Sequence, residues 1–297
     1  MKEYPDIEQS GFGGNKVKIE VLDSLRAFAA LSVCLFHFVC TTTNYIQNES
    51  ILFFFSAGKY GVESFFVISG FVIPWSMHSA GYRLSNFFSF FLKRLSRLEP
   101  PYIFSIGLAI LLLYSRTKWV GNPADLGSFS LERIILHFGY LIPFFHEHQW
   151  LNPVYWTLAI EFQFYLLMAL LFVPLIMMNQ KGRMVIVLAI VLTSIYSPSY
   201  LIFYWMPFFL LGILLYWYKK QLITSREYYL ITGAAIIFCL IKFPAMAVLY
   251  AAIPLYFVLN LQTLKLPLLH TLGRFSYSIY LIHPLLELLL LMYCHII

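Results

Sequence analysis

The sequence is poor in charged residues, and it contains no low-complexity tract or internal repeat. Only 11% of its 297 residues are charged, while 60% are hydrophobic. Soluble domains carry about 25% charged residues, so the composition excludes intrinsic disorder and a conventional water-soluble enzyme. The net charge of +6 requires no nucleic-acid partner, because membrane proteins collect Lys and Arg in their cytoplasmic loops.

Cysteine is also scarce, and its placement argues against two further kinds of site. Cys34, Cys40, Cys239 and Cys294 lie in or beside apolar runs without paired spacing. The sequence therefore predicts neither a disulfide framework nor a zinc site. Residues 146–148 (His-Glu-His) place two histidines at i and i+2, which is a weak metal signal, and we expect no bound metal.

Long apolar segments dominate the chain and predict an all-α, polytopic transmembrane bundle of about nine to ten spans. A membrane span needs about 20 apolar residues, and several of the segments approach that length. We expect one domain over residues 1–297, with 1–20 as a polar N-terminal tail. The predicted spans are 21–41, 52–77, 100–115, 154–178, 184–197, 200–217, 228–241, 245–261 and 276–294.

The segment 133–145 decides between nine and ten spans. If the N-terminus is inside and this segment does not cross, 15 Lys and Arg residues fall inside and 5 outside. If the segment crosses, the count becomes 9 inside and 11 outside. The positive-inside rule therefore favours nine spans and a cytoplasmic N-terminus.

Charged side chains within apolar spans are costly, so they mark candidate functional sites. Arg26 and His37 are 11 residues apart on one predicted helix, which places them on one face and about 16 Å apart. This face would connect a binding group for an anionic cytosolic ligand, Arg26, with a deeper group for proton transfer, His37. The alternative is that Arg26 anchors the helix at the membrane surface and that His37 is a packing residue.

Two acidic residues are predicted to join His37. With nine spans, Glu63 and Glu161 both lie in the outer half of the membrane, at a depth similar to that of His37. A carboxylate beside an imidazole raises its basicity and fixes its tautomer, which a general base requires. We predict that the three side chains form a catalytic group, and a structural ion pair is the alternative.

Basic residues also precede two later spans. Arg94 and Arg97, at i and i+3, are neighbours on a helix surface, and paired guanidinium groups suit bidentate phosphate binding. The residues that follow, Pro100 and Pro101, are predicted to mark the start of the next span. Positive-inside anchoring or binding of anionic lipid is the alternative role for the arginines.

The last apolar segment carries a second intramembrane histidine. His283 lies nine residues beyond Arg274, which is expected at the cytoplasmic edge. Pro284 follows His283 and permits a kink. A simple packing role for His283 is the alternative.

Taken together, five stretches resemble the acyltransferase-3 family of bacterial integral membrane acyltransferases. Each stretch is a weak signal alone, but five in the family's order, over nearly the whole chain, are specific. The first includes the Arg-x10-His spacing from Arg26 to His37. The stretches are 22–37, 61–71, 94–97, 156–165 and 273–283.

The resemblance implies an enzyme that moves an acyl group, usually acetyl from cytosolic acetyl-CoA, to a hydroxyl of a cell-surface or lipid-linked carbohydrate. It implies that Arg26, Arg94 and Arg97 hold the acyl-CoA and that His37 is the key catalytic residue. Glu161 and Glu63 are then expected to orient the imidazole or to bind sugar hydroxyls. The further candidate site residues are His283, Trp156 and Tyr277.

The resemblance also sets expectations for partners and location. We expect a multi-pass protein of the bacterial cytoplasmic membrane that contacts the lipid bilayer, acyl-CoA and a carbohydrate acceptor, and no nucleic acid. Acetyl-CoA would be a co-substrate, with no permanently bound cofactor. Longer relatives continue with one more span, so we expect the final family helix to be missing, and completion by a partner or a homo-oligomer stays open.

Two other functions compete with acyl transfer. A transporter or flippase of a lipid-linked saccharide would use His37, Glu63 and Glu161 as a proton relay. The absence of an inverted repeat argues mildly against many transporter folds. A non-catalytic membrane scaffold is the third possibility.

Overall fold

The computed structural model describes residues 19–41, 46–120, 130–145 and 147–296. Within these ranges the regular structure is helical and contains no strand, which confirms the predicted all-α class. The helices are α1 (Val21–Phe36), α2 (Glu49–Ser56), α3 (Gly61–Ser79), α4 (Phe87–Val120), α5 (Leu131–Phe138), α6 (Tyr155–Met177), α7 (Gln180–Tyr196), α8 (Ile202–Lys219), α9 (Ser225–Lys242), α10 (Ala245–Asn260), α11 (Pro267–Arg274) and α12 (Ser276–Ile296).

The described chain forms a polytopic membrane bundle, although the number of spans stays a prediction. Five helical segments are long and apolar enough to cross a membrane, and a bent pair of helices raises the number to six. Because α7 and α10 have only 17 and 16 residues, each is shorter than the roughly 20 residues of a typical span. The five segments are Val21–Thr41, Glu49–Ser79, Leu84–Lys118, Tyr155–Met177 and Ile202–Lys219.

Two glycines allow α3 and α8 to pack closely at the centre of the bundle. A Cβ atom on Gly70 would lie 2.2 Å from the carbonyl oxygen of Phe209. A Cβ atom on Gly212 would lie 2.2 Å from the carbonyl oxygen of Val67. Small residues at such contacts let helix backbones approach each other in membranes. Helix α3 also contacts α1, α6 and α10, so its inward face supplies much of the interior.

Helix α4 corrects one predicted boundary. The sequence predicts a span that begins at Pro100, but the structure has a single helix of 34 residues, about 51 Å long. Pro100 and Pro101 lie inside this helix. A proline pair removes two backbone N–H donors without forcing a helix to end, because the surrounding turns can hold it together. Arg94 and Arg97 therefore belong to the same rigid helix as the apolar span.

The connector before α6 folds back on itself. Helix α5 has eight residues, or about 12 Å, against a hydrocarbon thickness of about 30 Å. The side chain of Arg133 donates hydrogen bonds to the carbonyl oxygens of Gln149 (2.6 Å) and Trp150 (3.2 Å). These bonds tie the start of the connector to its end, which favours the topology in which residues 133–145 do not cross.

A buried histidine completes this connector. His137 is fully buried, and its Nδ1 lies 2.7 Å from the carbonyl oxygen of Arg133. Its Nε2 accepts the backbone N–H of Leu151 at 3.0 Å. A ring that donates through Nδ1 and accepts through Nε2 must be neutral. Burial accordingly lowers the pKa of His137 to about 4.

Helices α11 and α12 meet at a bend of 76°. A Cβ atom on Gly273 would lie 1.8 Å from the carbonyl oxygen of Asp23, so only glycine allows α11 to pack this tightly against the start of α1. The bend places Arg274 beside α1 and directs α12 into the bundle. The last two helices therefore bring a basic residue and an apolar helix to the same interior space.

Candidate active site

An arginine-lined cavity lies between α1, α3, α4, α6 and the α11–α12 bend. Its volume is about 280 Å³, close to the lower limit of typical small-molecule sites. Four arginines from three parts of the chain line it, and we call it the arginine cavity. Its charged and hydroxyl-bearing lining residues are Arg26, Arg94, Arg97, Arg274, Ser69, Thr157, Glu161, Tyr165, Ser276, Tyr277, Ser278 and Tyr280.

Arg94 is the most firmly held of the four arginines. Its Nη2 donates a hydrogen bond to Ser76 Oγ at 2.7 Å. Its guanidinium group lies over the rings of Phe90 and Tyr165, at 5.4 and 5.7 Å from their centroids. Stacking and a side-chain hydrogen bond together restrict the guanidinium plane. Arg94 therefore presents a preorganised fork to the cavity, while Arg97, one turn later, is exposed.

Arg26 and Glu161 bring opposite charges into the cavity. Arg26 Nη1 lies 4.0 Å from Asp23 Oδ1, one turn earlier on α1. Glu161 Oε1 accepts hydrogen bonds from Ser69 Oγ at 3.0 Å and from Tyr165 Oη at 2.6 Å. The carboxylate interacts electrostatically with Arg26 and Arg94. Glu161 thus lies at the arginine end of the site.

His37 lies at the opposite end of α1, on a π-helical turn that covers His37–Thr41. Such turns are frequent at functional sites because they reorient side chains. Glu287 Oε2 lies 3.7 Å from His37 Nδ1. Thr41 Oγ1 is 3.3 Å from the same nitrogen and donates to Glu287 Oε1 at 3.1 Å. A carboxylate and a hydroxyl therefore surround one ring nitrogen of His37.

A second histidine packs against the first. The ring of His283, on α12, is 5.0 Å from the ring of His37 between centroids. His283 is only 3% exposed, and Pro284 lies within the helix just after it. We call His37 and His283 the histidine pair.

One face of α12 joins the arginine cavity to the histidine pair. Tyr277 and Tyr280 line the cavity, and Tyr280 packs 5.7 Å from the ring of His283. Tyr277 Oη donates to the carbonyl oxygen of Leu98 on α4 at 3.1 Å. From Tyr277 to Glu287 this face covers ten residues, or about 15 Å. The two ends of the site are thus connected by side chains of one helix.

The comparisons with known proteins agree with this arrangement. The sequence profile of the acyltransferase-3 family, described as an acyltransferase domain, matches residues 19–296. The chain belongs to the acyltransferase-3 family. This membership confirms the resemblance noted from the five sequence stretches and identifies a multi-pass membrane protein.

Two curated relatives of this acyltransferase-3 chain are bacterial. The O-acetyltransferase OatA of Staphylococcus aureus (strain NCTC 8325 / PS 47) is 31% identical over 158 residues, which is 50% of this chain and 24% of OatA. The putative peptidoglycan O-acetyltransferase YrhL of Bacillus subtilis (strain 168) is 28% identical over 203 residues, which is 60% of this chain and 28% of YrhL. The matched part spans only about a quarter of each relative. No solved structure matches the chain.

Within the described ranges, the structure shows no hydrogen bond or ion pair between His37 and either of the two acidic residues that were predicted to join it, Glu161 and Glu63. Glu161 interacts with Arg26, which precedes His37 by 11 residues, or about 16 Å along α1. Glu63 lies in the first turn of α3, is 6% exposed, and its Oε2 has no hydrogen-bond partner among the described residues.

Residue counts along separate segments give relative depths only if all spans start at one surface. Before α6, the side chain of Asn152 donates to the carbonyl oxygen of Leu281 at 2.9 Å. This bond fixes the start of α6 against α12. Glu161 lines the cavity that also holds Arg26, and its action on His37 stays a prediction.

Trp156, another predicted site residue, lies outside the arginine cavity. It packs against Trp205 with 5.2 Å between ring centroids. The two side chains line a separate aromatic groove together with Trp150 and Tyr200. The next residue, Thr157, lines the arginine cavity and is hydrogen-bonded to Tyr280 Oη at 3.0 Å.

Sequence reasoning missed the carboxylate that approaches His37. Glu287 is an acidic residue inside the last predicted span, 276–294, and follows His283 by four residues. The rule that flags intramembrane charges would have identified it. Pairing it with His37 required the tertiary structure, because 250 residues separate the two in the chain.

The candidate site contains arginine and histidine side chains, and the described ranges contain no metal-binding cluster. No group of three or more His, Cys, Asp or Glu residues capable of holding a metal ion occurs there. In the 146–148 segment, His146 lies outside the described residues, and His148 Nε2 approaches Glu132 Oε1 at 3.5 Å. The chemistry available is therefore anion binding in the cavity and proton transfer at the histidine pair.

Proposed function

We propose that the protein is a membrane O-acetyltransferase that transfers an acetyl group from cytosolic acetyl-CoA to a hydroxyl of a cell-surface or lipid-linked carbohydrate. The observation that carries the proposal is the arginine cavity, joined by one face of α12 to the histidine pair. Family membership and two relatives named as O-acetyltransferases support the reaction class. The word peptidoglycan in the name of YrhL supports a carbohydrate acceptor.

The arginine cavity suits the phosphate groups of acetyl-CoA. Guanidinium groups bind phosphate through paired, charge-assisted hydrogen bonds. Arg94 is preorganised by Ser76 and by two aromatic rings, while Arg26, Arg97 and Arg274 contribute further positive charge. Apolar lining residues, which include Phe65, Phe66 and Leu158, suit the pantetheine arm that carries the thioester along α12.

Glu161 then has a role on the donor side. Its carboxylate attracts Arg26 and Arg94 and so offsets the repulsion that Arg97 exerts on each of them. Its hydrogen bonds from Ser69 and Tyr165 hold it in place. When the donor phosphates bind, they supply the negative charge instead. Glu63 stays a candidate for contact with the acceptor hydroxyl, because its buried Oε2 has no hydrogen-bond partner in the described part of the chain.

We propose that His37 acts as the general base. Glu287 and Thr41 surround its Nδ1, and an Nδ1–H oriented by a carboxylate makes Nε2 the nitrogen that accepts a proton. Nε2 takes the proton of the acceptor hydroxyl while the hydroxyl oxygen attacks the thioester carbon. The tetrahedral intermediate then collapses, the carbon–sulfur bond breaks, and the CoA thiolate takes the proton from His37. The products are the acetyl ester and CoA.

We further propose a bacterial cytoplasmic membrane location with the N-terminus in the cytoplasm. The donor is cytosolic, so the arginine end would face the cytoplasm and His37 would lie towards the outer side. The surplus of basic residues on the side of the N-terminus supports this orientation. Reporter tags at Gln180 and Ile297 should be cytoplasmic and extracytoplasmic, respectively, and the reverse result at both tags would indicate that residues 133–145 cross the membrane.

The test measures O-acetylation of surface glycans by mass spectrometry in a deletion strain complemented with each variant. Wild type should restore O-acetylation, whereas His37→Ala should not. His78→Gln serves as the matched control, because His78 is hydrogen-bonded to Tyr216 Oη and lies outside the cavity and the histidine pair. Full O-acetylation with well-expressed His37→Ala, or none with wild type, would contradict the proposal.

A further inference from the structure

His283 is a buried imidazole whose two nitrogens make no hydrogen bond of regular geometry to the described residues, although backbone carbonyl groups of Ile279 and Tyr280 lie near the ring. The residue is 3% exposed, and Nδ1 and Nε2 are both fully shielded from solvent. Buried polar groups are normally hydrogen-bonded, and each exception calls for an explanation. A ligand that completes these hydrogen bonds during the reaction would supply one.

The surroundings of His283 indicate where such a ligand would come from. Its ring packs between Tyr280, at 5.7 Å, and His37, at 5.0 Å between centroids. Tyr280 is part of the wall of the arginine cavity, so a thioester that extends from the cavity past Tyr280 meets His283 next. His283 therefore lies between the donor site and the general base.

The two members of the histidine pair have different partners, and this difference separates their roles. Glu287 follows His283 by four residues on α12, yet its carboxylate approaches His37. Thr41 also contacts His37. A carboxylate next to one imidazole favours proton acceptance there. An apolar environment without a carboxylate favours a neutral imidazole, which can still donate one N–H.

We infer that His283 is a catalytic hydrogen-bond donor for the carbonyl oxygen of the acetyl thioester. This inference rests on the proposed function. When the acceptor oxygen attacks, the carbonyl π electrons move onto the oxygen and give a tetrahedral oxyanion. The N–H of His283 donates a hydrogen bond to this oxyanion and keeps its own proton. When the carbon–sulfur bond breaks, the carbonyl group forms again and the hydrogen bond weakens.

The test uses inverted membrane vesicles that carry each variant, [14C]acetyl-CoA as the donor, and the endogenous glycan as the acceptor. His283→Leu should lower kcat by about 100- to 1000-fold, the usual effect of losing one oxyanion donor, and leave the KM for acetyl-CoA within threefold. His283→Gln retains an N–H donor and should keep at least tenfold more activity than His283→Leu. A packing role alone would not favour glutamine over leucine.

A second apolar variant is the control for misfolding of His283→Leu. His283→Phe keeps a ring against His37 and Tyr280 while it removes both nitrogens. Binding of CoA to the purified variants, measured by calorimetry in detergent, should match wild type and report an intact arginine cavity. If His283→Leu fails to bind CoA, His283→Phe is compared with His283→Gln in its place.

The outcomes separate this inference from the proposed function. If wild-type vesicles transfer no label to glycan, the proposed function fails. If wild type is active and the apolar variants keep kcat within threefold, the role of His283 is wrong. An equal loss in His283→Gln and the apolar variants, with CoA binding retained, also overturns it. A low kcat that glutamine restores in part, with KM unchanged, supports it.

Discussion

At the arginine end of the site four guanidinium groups share a cavity with one carboxylate, Glu161. At the histidine end one carboxylate, Glu287, serves the histidine pair and approaches only His37. The first end has excess positive charge and is partly open, as the exposed Arg97 indicates. At the second end His283 is buried, His37 and Glu287 are partly buried, and no arginine or lysine is among the described contacts of the pair. Binding of mobile phosphate groups requires positive charge, whereas proton transfer requires a fixed geometry and little water.

This difference predicts that substitutions at the two ends of the site change different kinetic constants. Changes at the histidine end should act on kcat, because its groups contact atoms that change during the reaction. Changes at the arginine end should act on the KM for acetyl-CoA, because its groups bind the unreactive part of the donor.

The largest effect is expected for Glu287→Gln. The amide keeps the size of the side chain but removes the charge that orients His37 and stabilises its protonated form. We expect kcat to fall by about 100-fold or more, within the range for general-base catalysis, with KM for acetyl-CoA unchanged. Vesicle assays with [14C]acetyl-CoA measure both constants. An unchanged kcat would show that Glu287 has no part in catalysis. A change in the KM alone would contradict the division of roles between the two ends.

The next effect is expected for Arg94→Ala. Loss of a charge-assisted hydrogen bond costs about 1.5–3 kcal/mol, so the KM for acetyl-CoA should rise by roughly 10- to 100-fold while kcat changes little. Arg94→Lys keeps the charge without the planar fork and should recover only part of the affinity. Exposed Arg83, which lies outside the lining of the cavity, supplies the control Arg83→Ala. A fall in kcat with unchanged KM would contradict the division of roles.

A smaller and opposite effect is expected for Glu161→Gln. If Glu161 only offsets the positive charge, removing its charge should strengthen CoA binding by about two- to fivefold, because a carboxylate in the cavity would no longer repel the donor phosphates. The amide oxygen can still accept hydrogen bonds from Ser69 and Tyr165. Calorimetry with CoA measures the affinity. A loss of kcat as large as that of Glu287→Gln would restore the catalytic role predicted from the sequence.

The smallest effect concerns the connector in mild acid. The pKa of His137 falls from about 6.5 in the unfolded chain to about 4 in the folded one. Its contribution to stability is therefore complete above pH 6.5 and is lost as the pH falls towards 4. The loss should reach about 3 kcal/mol at most.

Because the connector contacts α12, its loss of stability in acid should affect the histidine end of the site before the arginine end. Asn152 ties the connector to α12 beside His283, so kcat should fall in acid before CoA affinity does. Thermal unfolding from pH 7 to pH 4.5 checks the stability change. His137→Gln, which does not titrate in this range, should flatten the pH dependence. An equal pH dependence in wild type and His137→Gln would contradict this role.

Much of the fold class and part of the site could be predicted from local sequence. Arg26 and His37 share α1 and its π-helical extension, and Arg94 and Arg97 share α4, because helical periodicity alone relates residues a few turns apart. The start of α4 was predicted wrongly. Proline is a common helix starter, and only the surrounding helices determine whether a proline pair ends a helix or lies within it.

The sequence by itself determined that the chain is a polytopic helical membrane protein of the acyltransferase-3 family, with an unusual set of charges in its apolar spans. Hydrophobic length and ordered motifs are local properties, so they can be read along the chain. Only the tertiary structure decided that Glu161 belongs with the arginines, that Glu287 approaches His37, and that His283 lies between them. Those pairings depend on how helices shift along one another, and close contacts such as Gly70 with Phe209 and Asn152 with Leu281 set those shifts.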